Sequence, residues 1–150
     1  MKPSFVKYIY EYFEKLIERF GLKKQNEQGD GQSYSVEYSS DIFVVRLEKY
    51  RREFYATLYK IGHSDDEINL FNLLQYLNKD ATPKAPEAKY FPEESNIDEC
   101  YRKQLRYITD VVCENFTELN DFFREGNYES KVKDIKRFMM EKYPELYKRT

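Results

Sequence analysis

Between Ser33 and Ile61 the chain alternates apolar and polar residues in three consecutive runs, with only short breaks between them. A period of two marks a strand whose alternate side chains face opposite sides of a sheet. In the first run Tyr34, Val36 and Tyr38 alternate with Ser33, Ser35, Glu37 and Ser39. In the second, residues 42–48, Phe43, Val45 and Leu47 fall on one side, with Ile42, Val44 and Arg46 on the other. Residues 54–61 form the third. The breaks, at Ser39, Ser40 and Asp41 and at residues 49–52, are too short for a parallel crossover, which needs a dozen residues or more. The expected unit is a three-stranded antiparallel meander.

Helical spacing surrounds this block. Phe5, Ile9, Phe13, Leu16, Ile17 and Phe20 recur at intervals of three and four, so residues 3–20 should form a helix, with Pro3 in its first turn and Gly21 as its C-terminal cap. Residues 25–32, polar and holding two glycines, read as a turn segment. Ser64 and Glu67 have the spacing of a capping box, with Asn69 as a competing N-cap, for a helix that ends near Leu77. Residues 79–95 contain Pro83, Pro86 and Pro92 and read as a loop pinned by Tyr90 and Phe91. Ser95 or Asn96 then caps one long helix, with Ile97, Tyr101, Leu105, Ile108, Val112, Phe116, Leu119 and Phe123 in its stripe, that ends at Gly126. A last helix covers residues 128–143 and stops at Pro144. The expected fold is a single α+β domain over residues 1–150, ordered helix-strand-strand-strand-helix-helix-helix, with the helices on one face of the sheet.

Composition narrows the function. Of 150 residues, 41% are hydrophobic and 35% charged, enough for a core under a solvated surface. A net charge of −2 provides no global field to attract nucleic acid or an anionic membrane. No apolar run approaches the roughly 18 residues of a membrane span, and residues 1–15 lack the apolar core of a signal peptide, so a cytoplasmic protein is expected. Cys100 and Cys113 lie more than three turns apart if their helix is unbroken, too far for a disulfide. With a single histidine, a Cys and His zinc site is not expected, and neither a metal nor a cofactor is assigned.

No catalytic constellation stands out. His63 lies at a strand end beside Asp65 and Asp66, where it could act as a general base, but a lone loop histidine beside a cap is more often a surface residue. Asp65, Asp66 and Glu67 lack the spacing of a calcium loop and suit a helix N-terminus. Gly29 and Gly31 precede a strand, whereas phosphate loops precede helices. Two basic clusters remain. Lys131, Lys133, Lys136, Arg137 and Lys142 read as a solvated helix face, diluted by Glu129, Asp134 and Glu141. The other, Arg46, Lys49, Arg51 and Arg52 with Tyr50 and Tyr55 interleaved, surrounds the second hairpin turn and is diluted by Glu48 and Glu53; Arg and Tyr are the residue types most enriched at protein contacts. Arg46, Tyr50, Arg51, Arg52 and Tyr55 are the candidate partner-binding residues, to which the resemblance described next adds Glu53. The structural alternative pairs Arg52 with Glu53 or with Glu37 across the sheet.

The segments Val36-Glu37-Tyr38, Phe43-Val44-Val45-Arg46, Tyr50-Arg51-Arg52-Glu53-Phe54, Ile61-Gly62 and Leu70-Phe71-Asn72-Leu73-Leu74, in this helix-sheet-helix arrangement, resemble a broad group of small bacterial α+β proteins. Several of that group look like immunity partners of secreted polymorphic toxins. The resemblance implies inhibition by binding, with no chemistry, and a toxin domain as partner. The competing expectations are a small enzyme that uses His63 or a carboxylate, and a homodimer or other homo-oligomer formed through the tyrosine-rich sheet.

Overall fold

The computed structural model describes residues 3–30, 32–80 and 85–147; Gly31 and Pro83 of the expected turn and loop lie outside them. Helix α1, Ser4–Phe20, buries Phe5, Val6, Ile9, Phe13 and Leu16, and Gly21 ends it in the left-handed region at φ 70°. Ile17, expected in the same stripe, is 40% exposed instead.

The sheet is a meander, but of five strands: β1 Lys23–Gly29, β2 Ser33–Ser39, β3 Phe43–Tyr50, β4 Glu53–Lys60 and β5 Ile68–Asn69, all antiparallel and in chain order across the sheet. The three expected strands are β2, β3 and β4. The two additions correct the sequence reading for different reasons. Strand β1 is an edge strand of sequence KKQNEQG with almost every residue exposed, so it carries no apolar alternation, and much of the segment expected as a turn pairs with β2 through its backbone. The ladder is interrupted between Gln25 and Gln28, with Asn26 at φ 51°. Strand β5 is two residues long, too short to show a period, and pairs with Thr57 and Leu58.

Helix α2, Leu70–Leu77, is capped by Asn69, whose side chain accepts from the amides of Phe71 and Asn72. The expected capping box of Ser64 and Glu67 is not used, because β5 intervenes before the helix starts. The long helix is divided: α3 is Ile97–Glu114 and α4 is Phe116–Arg124. The break is at Asn115, where ψ turns to 13° and the side-chain amide donates to the carbonyl of Val111 at 2.8 Å. An asparagine that bonds its own preceding turn competes with helix propagation. Helix α5, Tyr128–Lys142, stops before Pro144, which then opens the short α6, Pro144–Tyr147. The described residues thus hold six helices where four were expected.

The core lies between the helices and one face of the sheet. Tyr34, Val36, Tyr38, Phe43, Val45, Leu47, Phe54, Ala56 and Leu58 all join it from that face. Phe13 stacks on Tyr38 at 4.7 Å, Phe43 on Phe123 at 4.8 Å, and Phe20 on Phe116 at 3.8 Å. The buried Tyr34 and the half-buried Tyr10 both donate their hydroxyls to Glu27, which fastens β1 to α1. Cys100 is buried and Cys113 half-buried, both as free thiols. Gln104 of α3 is fully buried, and its amide works as a substitute strand. Its oxygen accepts from the Phe54 amide at 2.9 Å and its nitrogen donates to the Arg52 carbonyl at 2.7 Å, closing the free edge of β4 beyond the reach of β5.

Candidate functional site: the outer face of the sheet

The alternation that sends nine side chains into the core sends their neighbours to the opposite face. Ser35, Glu37, Val44, Arg46, Glu48, Tyr55, Thr57 and Tyr59 lie there, and none belongs to the core cluster. The register pairs Glu37 with Arg46, Ser35 with Glu48, and Glu48 with Tyr55.

Glu37 is the centre of this face. It is only 6% exposed, and a buried carboxylate needs partners. Tyr59 donates to it at 2.6 Å, Asn26 at 2.6 Å and the Arg46 Nε at 3.2 Å. Burial acts to raise its pKa, but the three hydrogen bonds outweigh burial and hold it below the ordinary carboxylate range. The same contacts act in the opposite sense on their donors. Tyr59 is pushed up to about 12 by burial and by its bond to Glu37. Arg46 is raised, its burial overcome by the charge of Glu67 and by Glu37. Arg46 also donates to Glu67, which ties the β4–β5 connection onto this face. The left-handed Asn26 in the β1 bulge aims its amide at Glu37, so the irregularity in the edge strand completes the network.

Towards the β3–β4 hairpin the face opens into a broad groove of about 1150 Å³, whose lining includes Gln28, Ser35, Glu48, Tyr50 and Tyr55. Tyr50 is 55% exposed, and the Arg51 guanidinium lies over its ring at 5.2 Å. Arg51 sits at φ 57° in the two-residue turn, and its amide donates to the Gln32 carbonyl at 3.1 Å. Glu53 accepts from the Tyr55 hydroxyl. That bond, with burial, pushes Tyr55 up to about 12. The Tyr55 ring meets Tyr90 of the long loop at 5.7 Å.

Of the six candidate residues, Arg46, Tyr50 and Tyr55 line the groove, Arg51 stands at its rim, and Glu53 holds Tyr55 in place. Arg52 turns away: its guanidinium donates to the Glu94 carbonyl at 2.7 Å, and its own carbonyl is held by Gln104. It pairs with neither Glu53 nor Glu37. The partner of Glu37 is Arg46, which a count back from the Ser39–Phe43 turn would have found, since opposite charges then face each other across the hairpin. The second basic cluster is partly paired, Lys131 with Glu125 at 2.7 Å and Arg137 with Asp134 at 3.6 Å.

His63 and Asp66 stay together near the end of β4, but Asp65 is exposed and Glu67 is engaged by Arg46. Glu129 of α5 joins the first two instead, and one donor atom from each of His63, Asp66 and Glu129 lies within 4.8 Å of the others. No helix among the described residues is long and apolar enough to cross a membrane. No protein-family model, curated protein or solved structure matches the chain.

Proposed function

We propose that this chain is a non-catalytic protein-binding domain that receives its partner at the hairpin end of the sheet face opposite the helices, with Tyr50 and Arg51 at the centre of contact. The observation that carries this reading is the exposed Tyr50–Arg51 stack beside a groove in which Arg46 already neutralises Glu37 and Glu48. Tyrosine and arginine are the types most enriched at contact hot spots, and a tyrosine ring has few rotors to immobilise on docking. Carboxylates engaged by Arg46, Tyr59 and Tyr55 suit recognition better than proton transfer. The narrower reading is an immunity-type inhibitor of a cognate bacterial toxin, acting in the cytoplasm. It rests on the resemblance within residues 36–74.

The test is a pull-down from the native cell with the tagged full chain, read by mass spectrometry, followed by titration of the recovered partner. The double variant Tyr50→Ala, Arg51→Ala should fold normally and lose about 30-fold or more in affinity, the effect of removing one hot-spot contact of roughly 2 kcal/mol. Arg52→Ala is the wrong probe, because it unfastens Glu94. Full affinity in the double variant would remove this surface as the site. Recovery of the bait alone, with sedimentation as a dimer, would favour a second copy of the chain as partner.

A further inference from the structure

A cluster away from the groove carries separate chemistry. We propose that His63, Asp66 and Glu129 form a binding site for a divalent first-row transition-metal ion of the Zn²⁺ class.

The donors come from two distant parts of the chain and converge in space. His63 and Asp66 belong to the turn that leaves β4, and Glu129 belongs to the first turn of α5. The His63 Nδ1 and a Glu129 carboxylate oxygen are 3.9 Å apart. The backbone that presents them is fixed. The His63 amide donates to the Lys60 carbonyl at 2.8 Å and the Asp66 amide to the His63 carbonyl at 3.0 Å. Tyr128, buried and adjacent to Glu129, donates its hydroxyl to the Asp66 carbonyl and packs its ring against His63 at 5.3 Å between centroids. This tyrosine staples the start of α5 to the turn and sets both halves of the cluster in register.

Metal–nitrogen and metal–oxygen distances of about 2.0–2.2 Å require neighbouring donors to sit roughly 3 Å apart. The 3.9 Å between His63 and Glu129 closes towards that by rotation of the Glu129 side chain, which is 74% exposed. The helix N-terminus accounts for an acidic residue at Glu129. It does not account for an imidazole nitrogen that faces the same carboxylate, or for a second carboxylate brought in from residue 66. One imidazole with two carboxylates is a donor set for Zn²⁺, Mn²⁺ or Fe²⁺, whereas Ca²⁺ and Mg²⁺ take all-oxygen sets. Three protein donors leave coordination positions for water or for a partner's side chain.

The experiment is calorimetric titration of the chelator-treated full chain with ZnCl₂ at neutral pH. One ion per chain should bind with micromolar affinity. Glu129→Gln, an exposed substitution that leaves the fold intact, should weaken it by at least about tenfold, the loss seen even for outer-shell partners of a metal. His63→Ala, with circular dichroism to confirm its fold, should do the same, while Cys113→Ser, which removes the half-buried thiol, should change nothing. CaCl₂ should give no saturable binding. Absence of saturable Zn²⁺ uptake by the folded wild type would overturn the proposal, as would binding that Glu129→Gln and His63→Ala both leave unchanged.

Discussion

Replacing Gln104 by leucine isolates the contribution of a single buried amide to this fold. The substitution nearly conserves volume and is more apolar, so a count of buried hydrophobic surface alone predicts a more stable protein. The geometry predicts the reverse. The Gln104 oxygen is the acceptor for the Phe54 amide and its nitrogen the donor to the Arg52 carbonyl, at 2.9 and 2.7 Å. Leucine leaves both backbone groups without a partner at a point where β4 has no neighbouring strand. A buried backbone group left unsatisfied costs about 1–3 kcal/mol, and leucine recovers about 1 kcal/mol of transfer free energy. For the two groups together the net expectation is a loss of about 1–5 kcal/mol, which for a domain of this size lowers the melting temperature by roughly 2–20 °C. Urea unfolding followed by circular dichroism measures it directly, with an unchanged m-value as the check that the native fold persists. Gln104→Glu should also destabilise, since it keeps an acceptor but loses the donor and buries a charge. A Gln104→Leu variant as stable as the wild type would refute the reasoning and show that this edge of β4 is reached by water.

Three further outcomes follow from local geometry. Glu37 is held below the ordinary carboxylate range in the folded chain, so its contribution to stability is complete above the unfolded-state value of about 4.3 and is lost as pH falls through the lower folded-state value. Glu37→Gln should therefore be less stable than wild type at neutral pH, with the gap narrowing in acid, as read from urea midpoints across that range. Gly29 sits at φ 118°, and an added Cβ would lie 2.2 Å from the Ser33 carbonyl oxygen, whereas Gly62, at φ 86°, has open space around it. Gly29→Ala should cost several kcal/mol and Gly62→Ala only about 1–2 kcal/mol, a difference visible by differential scanning calorimetry. Because Asn69 caps α2, Asn69→Ala should cost about 1 kcal/mol in chemical unfolding while Ser64→Ala stays within roughly 0.5 kcal/mol.

How far the sequence could be read depended on whether each element carries its own apolar pattern. Strands β2, β3 and β4 do, and alternation put Arg46 on the side opposite Phe43, Val45 and Leu47; Tyr50, expected in the turn, is instead the last residue of β3 and shares that side with Arg46 and Tyr55. Strand β1 has no apolar residue to alternate, so its place in the sheet arises from backbone pairing and from the Tyr10 and Tyr34 bonds to Glu27. The division at Asn115 was hidden because the apolar stripe resumes at once with Phe116 and Leu119, and the bond that ends α3 is made by a residue type that helices also tolerate. Arg52 shows the limit at a hairpin tip: its type suggested surface contact, but α3 and the loop before it, more than 40 residues later in the chain, claim both its side chain and its carbonyl. The approach of Glu129 to His63 depends on where α5 docks, which no local pattern encodes.

The two flanks of the sheet are finished differently. On one, β5 and Gln104 close the backbone of β4. On the other, β1 pairs only with β2 and turns its outer hydrogen-bonding groups away from the fold. A bare strand edge is a template on which another molecule can grow. Here the bulge at Asn26 breaks the repeat, and Lys23 and Lys24 place like charges where a second copy would have to align. The guard on this edge is a segment that adds almost nothing to the core. Removing a lysine there would leave unfolding curves nearly unaltered while easing growth on that edge, whereas flattening the bulge would also release Asn26 from Glu37 and so would show in them.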